Sequence, residues 1–238
     1  LRDFPLFWKT SYDKIKQLAK RYENFPRYTT GSNLANMAGT QATPFLLAFF
    51  FSPVIVGFYA MAHMIIMLPS KMVGSSIATV FFQKASVDKN NNGQITNVVS
   101  IVHTRLVSIG MFLCLILIII GPELFVVALG AQWFTAGVYA QILAPWFFVA
   151  FISTPLFSIF NVLEKQAVSF WFNLLLFFSR IVALFIGGFF NNPVLGMVLL
   201  SATGVIFWSW MNMYLLKISG VSITPAIYDI GRNFLVCI

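Results

Sequence analysis

Charged residues and cysteine are both scarce in this sequence. Only 9% of its 238 residues are charged, 59% are hydrophobic and the mean hydropathy is +0.84. A soluble globular domain has roughly 25% charged residues. With so few charges a soluble fold of this length could not cover its own surface, so we expect an exterior that faces lipid. The composition therefore excludes a soluble domain and predicts an integral membrane protein.

The residues that usually carry chemistry are also missing. Cys114 lies in an apolar run and Cys237 at the end of the chain, with no CxxC motif and no Cys/His cluster. His63 and His103 show no metal-ligand spacing, and we interpret them as hydrogen-bonded packing or interface residues. No paired carboxylates, Ser/His/Asp set or glycine-rich phosphate loop is present. The sequence argues against an enzyme, and it predicts no cofactor and no metal.

The positive charge is distributed as in a membrane protein. The chain carries 15 Lys and Arg against 7 Asp and Glu, a net charge of +8. Nucleic-acid binding needs basic residues gathered on a soluble face. Here seven of the 15 precede Tyr28, and most of the others lie in short gaps between apolar runs. We therefore expect no nucleic-acid partner, and we assign the charge to membrane orientation.

The apolar residues form six runs, each long enough to cross the bilayer, which takes about 20 helical residues. The predicted spans are residues 30–51, 54–82, 97–120, 135–163, 167–190 and 194–216. The second and fourth are longer than needed, so we expect tilts or kinks at Pro69 and at Pro145 with Pro155. Residues 121–133 are predicted as a short interfacial helix. The predicted fold class is all-α, a polytopic membrane bundle of about six transmembrane helices.

The loops predict the orientation and the domain organisation. Lys84, Lys89, Lys165 and Lys217 with Arg232 lie on the same side as the basic N-terminal arm, while the opposite connections have no Lys or Arg. The positive-inside rule then places both chain ends in the cytoplasm.

Three domains follow from this pattern. Residues 29–218 form the six-helix bundle and residues 219–238 a cytoplasmic tail. Residues 1–28 form an amphipathic arm that lies on the membrane or links two bundles, with a solvated linker equally open. The chain begins with Leu1 and shows no signal peptide, so we expect a piece of a longer product.

The first span carries a polar stripe. Asn33, Asn36, Thr40 and Thr43 recur at steps of three and four, which places them on one face of a helix. Polar groups inside a membrane are costly and usually face the bundle interior or a wet cavity. A lumen and hydrogen bonding between helices remain equally open interpretations of this stripe.

Three cations lie within the apolar runs. For Lys71 and Arg105 we favour anchoring at the headgroups, although Lys71 is included among the candidate substrate-binding residues. Arg180 lies about 20 Å along a helix from the start of its span and about 15 Å from its end, at 1.5 Å per residue. Asn173 shares its face, and no acidic residue lies at mid-membrane. Arg180 is therefore predicted to bind an anion, with burial against carbonyl groups as the alternative.

Several ordered motifs resemble a known family. They are GPELF at 121–125, LGAQW at 129–133, AGVYAQILAPW at 136–146, STPL at 153–156, NVLEKQ at 161–166, and, upstream, VGFYA at 56–60, LP at 68–69 and VFFQKAS at 80–86. Together they resemble the C-terminal half of oligosaccharide flippases of the multidrug/oligosaccharidyl-lipid/polysaccharide exporter superfamily. The resemblance covers nearly the whole chain from about residue 28 to residue 216.

This resemblance implies one of two six-helix bundles around a central cavity. Such flippases move an undecaprenyl-pyrophosphate-linked oligosaccharide across the bacterial inner membrane by alternating access, for O-antigen, capsule or exopolysaccharide. The implied partners are this lipid-linked oligosaccharide, the bilayer and a missing N-terminal bundle, with a polysaccharide polymerase as a further candidate. We expect Arg180 to supply charge, and Asn173, Asn33, Asn36 and Thr40 to line the cavity. A drug or cation exporter, which would need an acid in the missing half, and a non-transporting scaffold of polysaccharide assembly remain alternatives.

Overall fold

The computed structural model describes residues 24–71, 95–163 and 165–222, together with Lys16, Gln83 and Lys84. Most of the predicted N-terminal arm, residues 72–82 of the second predicted span and the tail beyond residue 222 lie outside the described residues.

The described residues form six long helices and no strand. The helices are α1 (Asn24–Phe50), α2 (Pro53–Pro69), α3 (Thr96–Leu129), α4 (Phe134–Ser153), α5 (Gln166–Phe189) and α6 (Pro193–Ile218). A 3₁₀ turn, Ala131–Trp133, precedes α4, and a 3₁₀ segment, Thr154–Ser158, continues it into the helical turn Ile159–Val162. The all-α fold class predicted from the sequence is confirmed.

Four of the described helical segments are long and apolar enough to cross a membrane: Thr96–Leu129, Ala131–Ser158, Gln166–Phe189 and Pro193–Ile218. Pro53–Pro69 is a shorter apolar helix. Helix α1 has 27 residues and is long enough, at about 1.5 Å per residue, but its serines, asparagines and threonines make it more polar than these four. The chain is a multi-pass membrane helix bundle.

Two short connections each end in a residue that caps the next helix and precedes a proline. The side chain of Asn192 accepts a hydrogen bond from the backbone N–H of Leu195 at 3.0 Å, and Ser52 caps α2 in the same way. Each cap is followed by a proline at the first helical position, where the missing N–H costs nothing. These short turns make α1 and α2, and likewise α5 and α6, antiparallel neighbours.

A kink at Ile120 (φ −125°, ψ 19°) divides α3 into a long first part and a short helix that ends at Leu129. Pro122 cannot donate to the carbonyl of Ile118, and the side-chain amide of Gln141 on α4 donates to that carbonyl instead. The sequence correctly predicted a short helix from residue 121, although it ends at Leu129 and the 3₁₀ turn Ala131–Trp133 follows it.

Helix α4 lies at the centre of the bundle. Of its most apolar stretch 61% is buried, against 28–33% for the other three apolar segments. It packs against α2, α3 and α6. A buried network ties it to two of them: Asn212 on α6 donates to Ser153 Oγ on α4 at 3.0 Å and contacts His103 Nε2 on α3 at 3.2 Å. His103 is thus a packing residue, as its sequence context indicates.

Candidate functional site

Two polar stripes lie side by side on α1 and α5. On α1 the stripe extends the predicted one to Thr29, and on α5 it comprises Gln166, Ser169, Asn173 and Arg180, again at helical spacing. The two helices pack in parallel, with the hydroxyls of Ser32 and Ser169 3.0 Å apart near the start of each. The packing therefore brings the polar edges of both helices to the same side.

A cavity of about 330 Å³ opens along these stripes, with walls from α1, α2, α4, α5 and α6. Five of the six candidate residues from the sequence line it: Asn33, Asn36, Thr40, Asn173 and Arg180. Among the described residues that line it, none is acidic. The sixth candidate, Lys71, is exposed just beyond the end of α2 and is not among the lining residues.

Arg180 is the cation of this cavity. The residue is only 7% exposed, and its Nε is buried with no hydrogen-bond partner within the described chain. Its guanidinium carbon lies 5.3 Å from the centroid of the Trp146 ring, within cation–π distance. Gly39 on α1 makes room for the guanidinium, because a Cβ there would lie 2.9 Å from Nη1. A buried cation with an unused donor favours an anionic ligand.

Asn173 shows that the polar stripes serve two purposes. Its side-chain N–H donates to Ser32 Oγ at 2.8 Å and to the carbonyl of Ser169 at 3.0 Å. These contacts hold α1 against α5 and use both amide donors, and the same residue lines the cavity. Both interpretations of the stripe, cavity lining and interhelical hydrogen bonding, therefore apply at this position.

The α2 wall was not predicted from the sequence. Tyr59 and His63 line the cavity, and the two rings lie 5.6 Å apart between centroids. Tyr59 is 5% exposed, and Thr43 of α1 lines the same cavity. The i, i+4 spacing of the two residues was available as a signal, but aromatic residues in an apolar run usually indicate packing.

Aromatic rings form the remaining wall. Trp146, Phe157 and Trp208 all line the cavity, and the Phe157 and Trp208 rings lie 5.3 Å apart. The indole N–H groups of both tryptophans are buried without a hydrogen-bond partner in the described chain. The cavity thus combines flat apolar surfaces with amides, hydroxyls and one cation.

Comparison with known proteins assigns the family. A family model described as polysaccharide biosynthesis protein matches residues 4–137, more than half of the 238 residues. The chain belongs to this polysaccharide biosynthesis family. No curated protein and no solved structure gives a match.

The family match covers the α1 and α2 walls of the cavity. It includes α1 with Asn33, Asn36 and Thr40, all of α2 and α3, and the first turn of α4. Asn173 and Arg180 on α5 lie beyond the matched residues. As a member of a polysaccharide biosynthesis family, the chain has a role in making polysaccharide. Its polar cavity lies within the membrane helix bundle.

Proposed function

We propose that this protein moves an oligosaccharide linked to undecaprenyl pyrophosphate across the bacterial inner membrane. One observation carries the proposal: Arg180, 7% exposed and with an unpartnered Nε, lies on the wall of a polar cavity in a membrane bundle of a polysaccharide biosynthesis family. A pyrophosphate offers the oxygens that a guanidinium binds in pairs.

The proposal assigns roles to the other lining residues. Asn33, Asn36, Thr40 and Asn173 offer hydrogen-bond groups to sugar hydroxyls, and Trp146, Phe157 and Trp208 offer flat faces to sugar rings. The polar cavity lowers the cost of burying the head group, and translocation makes and breaks no covalent bond. Residues 29–218 then form one bundle of a two-bundle transporter, residues 1–28 lead to the other bundle, and both ends lie in the cytoplasm.

The charge of the cavity favours an anionic substrate over a cationic one. A cation exporter needs a carboxylate near its substrate, and the described lining has none while it does contain Arg180. A headgroup whose charge is a pyrophosphate fits this cavity better.

The proposal is tested by translocation in proteoliposomes that contain the full-length protein and a fluorescent undecaprenyl-pyrophosphate tetrasaccharide. We expect Arg180→Ala to slow translocation at least tenfold, because a hydrogen bond to a charged group contributes about 1.5–3 kcal/mol and about 1.4 kcal/mol is a factor of ten. Arg105→Ala is the matched control, since Arg105 is exposed on α3 and does not line the cavity.

Two outcomes would overturn the proposal. One is translocation at the wild-type rate by Arg180→Ala protein that is present at wild-type abundance. The other is a wild-type protein that translocates no lipid-linked sugar and does not restore surface polysaccharide to a flippase-deficient cell. The second outcome would favour a scaffold in polysaccharide assembly.

A further inference from the structure

A second cavity, of about 290 Å³, lies next to the first, where α1 and α5 begin. Ser32, Asn33, Phe157 and Ser169 line both cavities, so the two adjoin. The hydrogen bond between Ser32 and Ser169 lies at this junction, and Asn173 donates to the same Ser32 hydroxyl. The two cavities therefore follow one another along the α1–α5 pair.

Two polar side chains line this second cavity away from the first. Gln166 is 7% exposed and places an amide on the cavity wall. Thr29 Oγ1 is buried and has no hydrogen-bond partner within the described chain. Leaving the buried Thr29 hydroxyl unsatisfied costs about 1–3 kcal/mol. Together with the Gln166 amide on the same cavity, it indicates a site that a hydrogen-bonding ligand fills.

The chemistry of the lining defines the ligand class. Among the described residues that line the second cavity none is charged, and Phe157 and Phe160 supply aromatic surface beside the amides and hydroxyls. A phosphate would find no cation here. An uncharged ring with several hydroxyls could use Gln166 as both donor and acceptor and pack against an aromatic face. An uncharged sugar residue has these properties.

We propose that the second cavity is a subsite for an uncharged sugar of the oligosaccharide, with Gln166 and Thr29 as its specificity-determining residues. This proposal rests on the proposed function, because it takes the pyrophosphate to lie at Arg180. Gln166 precedes Arg180 by 14 residues, which is about 21 Å along a helix at 1.5 Å per residue. The subsite therefore holds a sugar well beyond the one attached to pyrophosphate.

The test compares two lipids that share the same charge. The full-length protein in nanodiscs is titrated with undecaprenyl pyrophosphate carrying either one or four uncharged hexose residues. We expect the four-sugar lipid to bind about five- to thirtyfold more tightly, the gain from one or two hydrogen bonds of about 1 kcal/mol each. Gln166→Leu should reduce this difference about fivefold, the loss of one hydrogen bond of about 1 kcal/mol, and leave the affinity for the one-sugar lipid unchanged.

Thr29→Val provides a second test, which remains valid if the Gln166→Leu protein fails to fold. Because the Thr29 hydroxyl has no partner in the described chain, its removal should leave the thermal stability unchanged or higher, and should still weaken binding of the four-sugar lipid. The matched control for Gln166→Leu is Gln132→Leu. It makes the same substitution at an exposed position in the Ala131–Trp133 turn, at the opposite end of the bundle.

The outcomes separate this proposal from the proposed function. Equal affinity of the wild-type protein for both lipids would overturn the subsite, as would a Gln166→Leu or Thr29→Val change that weakens both lipids equally. Arg180→Ala should weaken both lipids by the same factor. Wild-type affinity for both lipids in the Arg180→Ala protein would overturn the proposed function instead.

Discussion

The Arg180 guanidinium lies over the Trp146 ring, with its carbon 5.3 Å from the ring centroid. The indole is also held from α6, because a Cβ at Gly204 would collide with its five-membered ring. The ring is therefore packed between the backbone of α6 and the cation of α5. This arrangement fixes the depth of the charge in the cavity while the guanidinium keeps an unused donor.

The affinity for undecaprenyl pyrophosphate should depend on the shape of the Arg180 guanidinium as well as on its charge. Arg180→Lys keeps the positive charge but loses the planar fork that binds two oxygens at once. We expect its affinity for undecaprenyl pyrophosphate in nanodiscs to lie between those of the wild type and Arg180→Ala, about tenfold below the wild type. If Arg180→Lys bound the lipid as weakly as Arg180→Ala, the positive charge by itself would contribute nothing to the affinity.

The packing of Trp146 against Gly204 should be required for binding. Gly204→Ala has to displace the indole, so we expect a loss of about 1–3 kcal/mol in stability, as for other overpacked cores, together with weaker lipid binding. Gly57→Ala is the matched control, because a Cβ at Gly57 meets nothing within 4 Å. Thermal unfolding and lipid titration of both variants measure the effect, and equal behaviour of the two would contradict it.

The crossing of α3 and α4 should depend on Gly137. A Cβ there would lie 2.5 Å from Pro122 Cα and 2.9 Å from the carbonyl oxygen of Gly121. Both are backbone atoms, so no side-chain rotation relieves the contact. We expect Gly137→Ala to lower the unfolding temperature more than Gly39→Ala, whose new methyl group meets the flexible end of Arg180. The reverse order would contradict the close crossing.

The network of His103, Asn212 and Ser153 should stabilise the bundle without contacting substrate. None of the three residues lines the cavity at Arg180. Asn212→Leu removes two interhelical contacts, and we expect a loss of about 1–2 kcal/mol, given about 0.6 kcal/mol for an average hydrogen bond of this kind and the cost of leaving partners unsatisfied.

The rate of translocation per folded molecule tests whether this network contacts substrate. We expect the Asn212→Leu protein to keep the wild-type rate. A specific loss of translocation without a loss of stability would assign the network a functional role instead.

Much of the candidate site could be predicted from local spacing. The steps of three and four in α1 place Asn33, Asn36 and Thr40 on one face, and the distance of Arg180 from both ends of its span marks it as buried. The aromatic wall could not be predicted in this way. Tyr59, Trp146 and Trp208 lie in apolar runs, where an aromatic ring serves packing or a cavity equally well.

The composition and order of this sequence determined a membrane-spanning helical bundle, because few charges and long apolar runs leave no other fold that satisfies the backbone in lipid. They also determined which faces of α1 and α5 are polar. Only the tertiary structure decided that those faces meet, since Ser32 and Ser169 are 137 residues apart in the chain. Spacing along a helix is local, whereas the choice of neighbouring helix depends on packing of the whole bundle, such as the fit of Gly39 against Arg180. The same packing leaves Lys71 at the exposed end of α2 and outside the cavity lining.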